Sequence, residues 1–236
     1  MQSIFRYSLT LKVLLLFSMV SFLSSCDDDD TNSDDNNPYY VELSNYDELE
    51  IRGSSQVSIC NTCDFDLNYI GAQDDYENLS ASVTDNRLTI NGSNGQIILG
   101  NPNLRFIELK GSSSLTGDTI IHPSHTLEIH ANGNSSASLL VLMDDLSIFT
   151  SGTADIVLNG AASNLHFETN GSSTINSLGI DANNAFASLS GSGLIELYTS
   201  DSLYARVNGS GTIRYSGNPP VVDSEVTGSG AIIEIP

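Results

Sequence analysis

Residues 184–213 read NAFASLSGSGLIELYTSDSLYARVNGSGTI, and this stretch holds the same phrase twice. Each phrase runs through alternating apolar and polar residues into Gly-Ser-Gly, then alternates again. Working outward, glycines ending such a phrase recur at Gly111, Gly133, Gly152, Gly171, Gly191, Gly209 and Gly228. Their separations are 22, 19, 19, 20, 18 and 19 residues, and an earlier copy sits at Gly53. A period near twenty signals a solenoid of stacked turns.

Offsets from these glycines locate the core. Six before stand Leu127, Leu146, Leu165, Ala185, Leu203 and Val222; four before, Ile107, Ile129, Ile148, Phe167, Ala187 and Ala205. Four after stand Val57, Leu115, Ala137, Ile156, Ile175, Ile195, Ile213 and Ile232. Apolar residues every second position on both sides of a bend predict two or more short strands per repeat, each with one buried face. The positions between, such as Glu128, His130, Glu168, Glu196, Arg206 and Arg214, face solvent. Glycine at the bend permits positive φ, and its small neighbours permit close stacking.

A rung of this length is too short for a propeller blade, and the leucine-rich consensus is absent. The fold class is therefore all-β, a parallel β-helix with about 19–20 residues per turn. In the final copy Glu234 stands where earlier turns carry Leu or Tyr, so a polar last turn is expected to cap the open end.

The N-terminus reads as a lipoprotein signal peptide over 1–25. Arg6 and Lys12 precede an apolar run, Val13 to Leu23, too short to span a bilayer as a helix. Leu23-Ser24-Ser25-Cys26 resembles the lipobox of bacterial lipoproteins, which makes Cys26 the lipidation site and a lipid membrane the first partner. Residues 26–38 then form an acidic tether, DDDDTNSDDNNP after the cysteine, with nothing to bury. Acids directly after a lipidated cysteine resemble the surface-export signal of Bacteroidetes lipoproteins. The expected location is the outer membrane, exposed at the surface, with a periplasm-facing arrangement as the alternative.

Charge narrows the partners. The chain carries 8 basic and 29 acidic residues, net −21; losing Arg6 and Lys12 with the leader leaves 6 against 29, or −23. Nucleic acid is excluded on these grounds. Cys60 and Cys63, in an exported protein, read as a loop disulfide. A redox CxxC would need a βαβ setting that the pattern does not supply. A zinc site would need two further ligands, and His122 and His125 lie far along the chain. No metal and no cofactor are expected.

Residues 39–236 resemble the family called putative auto-transporter adhesin, head GIN domain. The likeness rests on Tyr46-Asp47-Glu48-Leu49-Glu50-Ile51 with Gly53, on Asp85-Asn86-Arg87-Leu88-Thr89-Ile90, and on the successive LxIxxxG strands. It rests most on GSGTIRYSGNPPVV at 209–222 with the last GSG at 228–230. The resemblance implies a right-handed parallel β-helix on secreted or lipid-anchored bacterial proteins, with no catalytic residues.

The function expected is a non-catalytic surface lipoprotein, an adhesin or interaction domain offering a rigid face to glycan or protein partners. Tyr198 and Tyr204 are outward candidates for stacking on sugars. One alternative is a polysaccharide lyase or hydrolase, for which Arg206, Arg214 and Glu196 form the only mixed-charge cluster in the repeats. They read more simply as a cross-turn ion-pair ladder. The other alternative is an envelope component without a specific ligand. Asp118-Thr119-Ile120 and Asp201-Ser202-Leu203 resemble the Asp-Ser/Thr-apolar acceptor of Bacteroidetes, making Thr119 and Ser202 candidates for O-glycosylation. The oligomeric state is not legible.

Overall fold

The computed structural model describes residues 38–236 except 65, 93, 101–102 and 121–124. The leader, Cys26, residues 26–37 of the tether and His122 lie outside the described residues. Pro38, assigned to the tether from sequence, opens the first strand.

The chain begins with Pro38–Val41 (β1), Glu48–Arg52 (β2), Gln56–Cys60 (β3) and Leu67–Ile70 (β4). A short helix, Gln73–Glu77 (α1), leads to Ser80–Thr84 (β5), Arg87–Asn91 (β6) and Gln96–Gly100 (β7). Phe106–Leu109 (β8), Ser114–Ile120 (β9) and Thr126–Gly133 (β10) follow. Three long strands come next: Ser136–Gly152 (β11), Asp155–Gly171 (β12) and Thr174–Gly191 (β13). The last five are Leu194–Tyr198 (β14), Ser202–Gly209 (β15), Thr212–Ser216 (β16), Val221–Gly228 (β17) and Ala231–Glu234 (β18).

These strands stack as two parallel ladders, one on each side of the glycine bend. The ladder before the bend runs β6, β2, β8, β10, the second halves of β11, β12 and β13, then β15 and β17. The ladder after it runs β7, β3, β9, the first halves of β11, β12 and β13, then β14, β16 and β18. In the middle turns residues 140–143, 159–162 and 179–182 pair as well and close a third side. From Gly111 to Gly228 the fold is a β-solenoid of about six turns.

Register follows the glycines. Gly133, Gly152, Gly171, Gly191, Gly209 and Gly228 pair in order. Gly171 shows why no other residue serves there: its φ is +119°, and a Cβ on it would stand 2.5 Å from the Gly152 carbonyl oxygen. Leu127, Leu146, Leu165 and Leu203 are buried in one column, and Ile156, Ile175, Ile195 and Ile213 in another. Each such side chain contributes roughly 1.5–3 kcal/mol by leaving water. A buried column of Ser55, Ser113, Ser135, Ala154 and Ser173 lines the inside of the bend two residues after the glycine. Only small residues fit between successive bends.

Chain order and spatial order part company at the N-terminal end. The rung made by β6 and β7 does not sit between the β2–β3 rung and the β8–β9 rung. Instead β2 lies between β6 and β8, and β3 lies between β7 and β9. The chain leaves the first rung at Cys60, builds a rung on its outer side, and returns to continue at Phe106. Antiparallel strands seal this end: β5 pairs with β6, β4 with β7, and β1 with β4. Asp85 and Asn86, both at positive φ (50° and 64°), turn β5 back onto β6. That is the paired left-handed conformation that two-residue hairpins favour. Tyr69 is fully buried beneath Tyr39 and Tyr76, whose rings stack with centroids 4.1 Å apart.

The C-terminal end departs from expectation. Glu234 does pair opposite Tyr215. Yet Val222 and Val226, in columns that are buried on earlier turns, are each 43% exposed, and every residue of β17 is exposed. The apolar columns simply continue into the last rung, and among the described residues nothing packs over it.

Candidate functional site

Side chains on the outer face of the first ladder fall into two neighbouring columns, five and three residues before each glycine. Stacking brings distant residues into line along these columns. Phe106, His130, Phe149, His166 and Phe186 form an unbroken ridge, with ring centroids 5.1, 4.9, 5.6 and 4.7 Å apart in succession. Tyr204 pairs next to Phe186 in the backbone register and extends the ridge by one rung. The last rings are the most open, Phe186 at 37% and Tyr204 at 46% exposure. His166 lies nearly parallel to Phe186, at an interplanar angle of 10°. Each histidine is also tied down: His130 Nε2 donates to Glu128 Oε1 (2.6 Å) and His166 Nε2 to Glu168 Oε1 (2.9 Å).

A second file runs beside the ridge, seven residues before each glycine. Asn164 Nδ2 donates to Asp145 Oδ1 (2.8 Å), Asn184 Nδ2 to Asn164 Oδ1 (3.1 Å), and Ser202 Oγ to Asn184 Oδ1 (2.7 Å). Between this polar file and the rings of His166, Phe186 and Tyr204 lies a groove of about 270 Å³ along the stacking direction. A second hollow, about 260 Å³, lies on the other side of the ridge by Phe149, Glu168 and Ser188. The groove walls are ladder strands, so their spacing is fixed by backbone hydrogen bonds rather than by loops.

Ion pairs close the face at both ends. Arg206 reaches Asp223 (3.1 Å) and Glu225 (3.3 Å) on the next rung. At the N-terminal end Glu50, only 3% exposed, accepts from Arg52 (2.7 and 3.0 Å) and Lys110 (2.7 Å). Arg87 contacts Glu48 (2.8 Å) and Glu108 (3.3 Å), and its guanidinium lies 4.9 Å from the Phe106 ring centre. Arg105 holds Asp47 (2.8 Å) and also Glu48. The Arg52 hydrogen bonds, opposed by desolvation and aided by Lys110, pull the Glu50 carboxyl down to about 2.

This network corrects the sequence reading of charge. Arg206, Arg214 and Glu196 are not the only mixed-charge cluster, and they are not one cluster. Glu196 and Arg214 pair across neighbouring rungs of the second ladder (2.7 Å), while Arg206 belongs to the first ladder and pairs with other acids. The larger cluster escaped notice because β2, β6 and β8 come together only through the out-of-order rung. Tyr198 and Tyr204 are also separated, on the second and first ladders respectively.

Other candidates fall in place individually. Cys60 and Cys63 are joined by a disulfide, with Cα atoms 5.7 Å apart. Thr119 lies in β9 with its backbone opposite Leu140. Ser202 is half-buried with its hydroxyl given to Asn184. No cluster of potential metal ligands occurs among the described residues. The aromatic ridge and the asparagine file were missed in the sequence. The signal was there, since these residues share outward offsets from the repeat glycine, but only the inward offsets reveal themselves by hydropathy.

Several solved structures share the architecture. A putative adhesin from Bacteroides fragilis aligns with a TM-score of 0.76 at 21% identity, covering 86% of this chain and 98% of that one. A putative lipid binding protein from Parabacteroides distasonis aligns at 0.67 and 20% identity, covering 86% and 98%. A putative adhesin from the same species aligns at 0.62 and 21%, covering 84% and 96%. At this identity the likeness is one of fold. No curated protein matches the sequence. The family model for putative auto-transporter adhesin, head GIN domain, matches residues 31–219, and the chain belongs to that family.

Proposed function

We propose that this chain is a non-catalytic surface lipoprotein, held at the outer membrane through Cys26, that binds partners along the outer face of its first ladder. The observation that carries the reading is the ridge from Phe106 to Tyr204: rings on successive rungs of a rigid sheet, half-buried as far as His166 and exposed at Phe186 and Tyr204. A contiguous row of apolar rings at the surface marks an interaction site. Rigid aromatic anchors also lose little entropy on binding. The adhesin names carried by the family and its structural relatives fit this reading. The acidic run after Cys26 serves as tether and export signal, and Thr119 serves as an O-glycan acceptor.

Immobilised panels of glycans and cell-surface proteins test the proposal. The full-length protein should be captured by at least one panel member, and the paired change Phe149→Ser with Phe186→Ser should abolish capture. Capture by nothing would favour an envelope component without a ligand. Release of new reducing ends from a polysaccharide would overturn the non-catalytic reading.

A further inference from the structure

We propose that the groove between the asparagine file and the ridge binds an extended, β-linked polysaccharide of uncharged or amino sugars, laid parallel to the stacking direction. This rests on the surface-binding reading above and names its ligand. Three independent features of the groove lead to it.

The first is spacing. Rungs follow one another at ~4.8 Å, close to the advance per residue of an extended β-linked glycan, so each successive sugar meets an equivalent rung. From Asp145 to Ser202 the groove crosses four rungs, a run of ~14 Å that takes about three sugar rings. His166, Phe186 and Tyr204 occupy the same offset on consecutive rungs, so the groove repeats its ring wall at every step.

The second is the pairing of wall chemistries. A pyranose has an apolar face of axial C–H groups and a rim of hydroxyls. The exposed parts of Phe186 and Tyr204 offer apolar ring surface to the first. The opposite wall offers amide and hydroxyl groups to the second. Each asparagine uses one amide hydrogen and its carbonyl oxygen within the file, which leaves a second amide hydrogen and a second lone pair for the groove. The file is thereby fixed in orientation and still able to bond. An apolar lipid tail would leave this wall unmatched, at a cost.

The third is charge. The groove lining includes Asp145 and no lysine or arginine, and the whole chain is strongly acidic. A polyuronate or sulfated glycan would meet uncompensated like charge, so the groove selects against such chains. An amino sugar would gain from Asp145.

Affinity electrophoresis or calorimetry with the full-length protein tests this, using cellohexaose, xylohexaose, N-acetylchitohexaose, a chitosan hexamer and hexagalacturonate as probes. At least one of the four uncharged or amino hexamers should bind, and hexagalacturonate should not. Phe186→Ala and Tyr204→Ala should each weaken binding about tenfold, and Asn184→Ala should weaken it without removing the rings. Leu140→Ser, at an exposed apolar position off the ridge, should change nothing. The proposal is overturned if none of the four binds, if the Phe186→Ala/Tyr204→Ala pair binds as wild type does, or if hexagalacturonate binds best. Panel capture that persists without hexamer binding would leave the surface-binding reading standing and remove the glycan.

Discussion

Arg87 Nη1 lies 3.3 Å from Glu108 Oε2, although a whole strand, Glu48–Arg52, separates the two residues in the sheet. The arginine spans that strand, touching Glu48 on the way. With Lys110 bridging Glu50 and Glu108, it ties the out-of-order rung to the regular solenoid.

Glu50 makes this junction sensitive to acid. Its folded carboxyl titrates near 2, below the ordinary value of 4.5. A depressed pKa contributes stability that is fully present above the ordinary value and is lost as pH falls toward 2. The contribution is about 2 kcal/mol, allowing for solvent around the cations. Urea midpoints should therefore fall between pH 4.5 and 2 more steeply for wild type than for Glu50→Gln, which should already be weaker at pH 7. Parallel pH curves for the two proteins would refute the assignment.

Interior and exterior alternate at single-residue resolution. Ile156 is 0% exposed and Val157 36%. Ile156→Asp should cost several kcal/mol, because it buries an unpaired charge and removes apolar area. Val157→Asp should cost about 0.5 kcal/mol or less. Denaturant midpoints of the two variants, measured side by side, check the difference.

The glycine column tolerates no Cβ. Gly171→Ala places a carbon against the Gly152 carbonyl oxygen at a φ that alanine avoids, so it should cost about 1–3 kcal/mol. Gly92 is the control, also at positive φ (+69°) but with nothing within 4 Å of a Cβ. Its alanine variant should lose less, and thermal midpoints separate backbone strain from the clash.

The proposed attachment is through Cys26. Cys26→Ala should move the protein from the membrane fraction to the soluble one. Replacing Asp27 to Asp30 with alanine should keep the anchor but protect the protein from protease added to intact cells. Equal shaving of wild type and variant would reduce the acidic run to a spacer.

Glycosylation at Thr119 and Ser202 is read by intact mass. The native protein should exceed the lipidated polypeptide by whole glycan units, and the excess should vanish when both residues become alanine. At Ser202 a glycan would take the hydroxyl that bonds Asn184 in the groove wall, so the excess mass should already vanish with Thr119→Ala alone.

The sequence by itself determined the solenoid, its register and its core. The reason is physical: a residue such as Ile156 is buried by its offset from a glycine, and the same offset repeats on every turn, so local alternation dictates a global column. The glycine bend is equally local, since positive φ and close stacking leave no other residue. Tertiary structure decided what depends on which rung lies next to which. The rung at Arg87–Gly100 sits outside the rung that precedes it in sequence, and the Glu50 network exists only because of that exchange. Outward residues obey no hydropathy constraint, so hydropathy does not mark Phe106 and Phe186 as members of one ridge, although each stands five residues before a repeat glycine. Only the stacking of rungs, fixed by backbone hydrogen bonds between strands about twenty residues apart, draws those rings into a line and sets the asparagine file beside them.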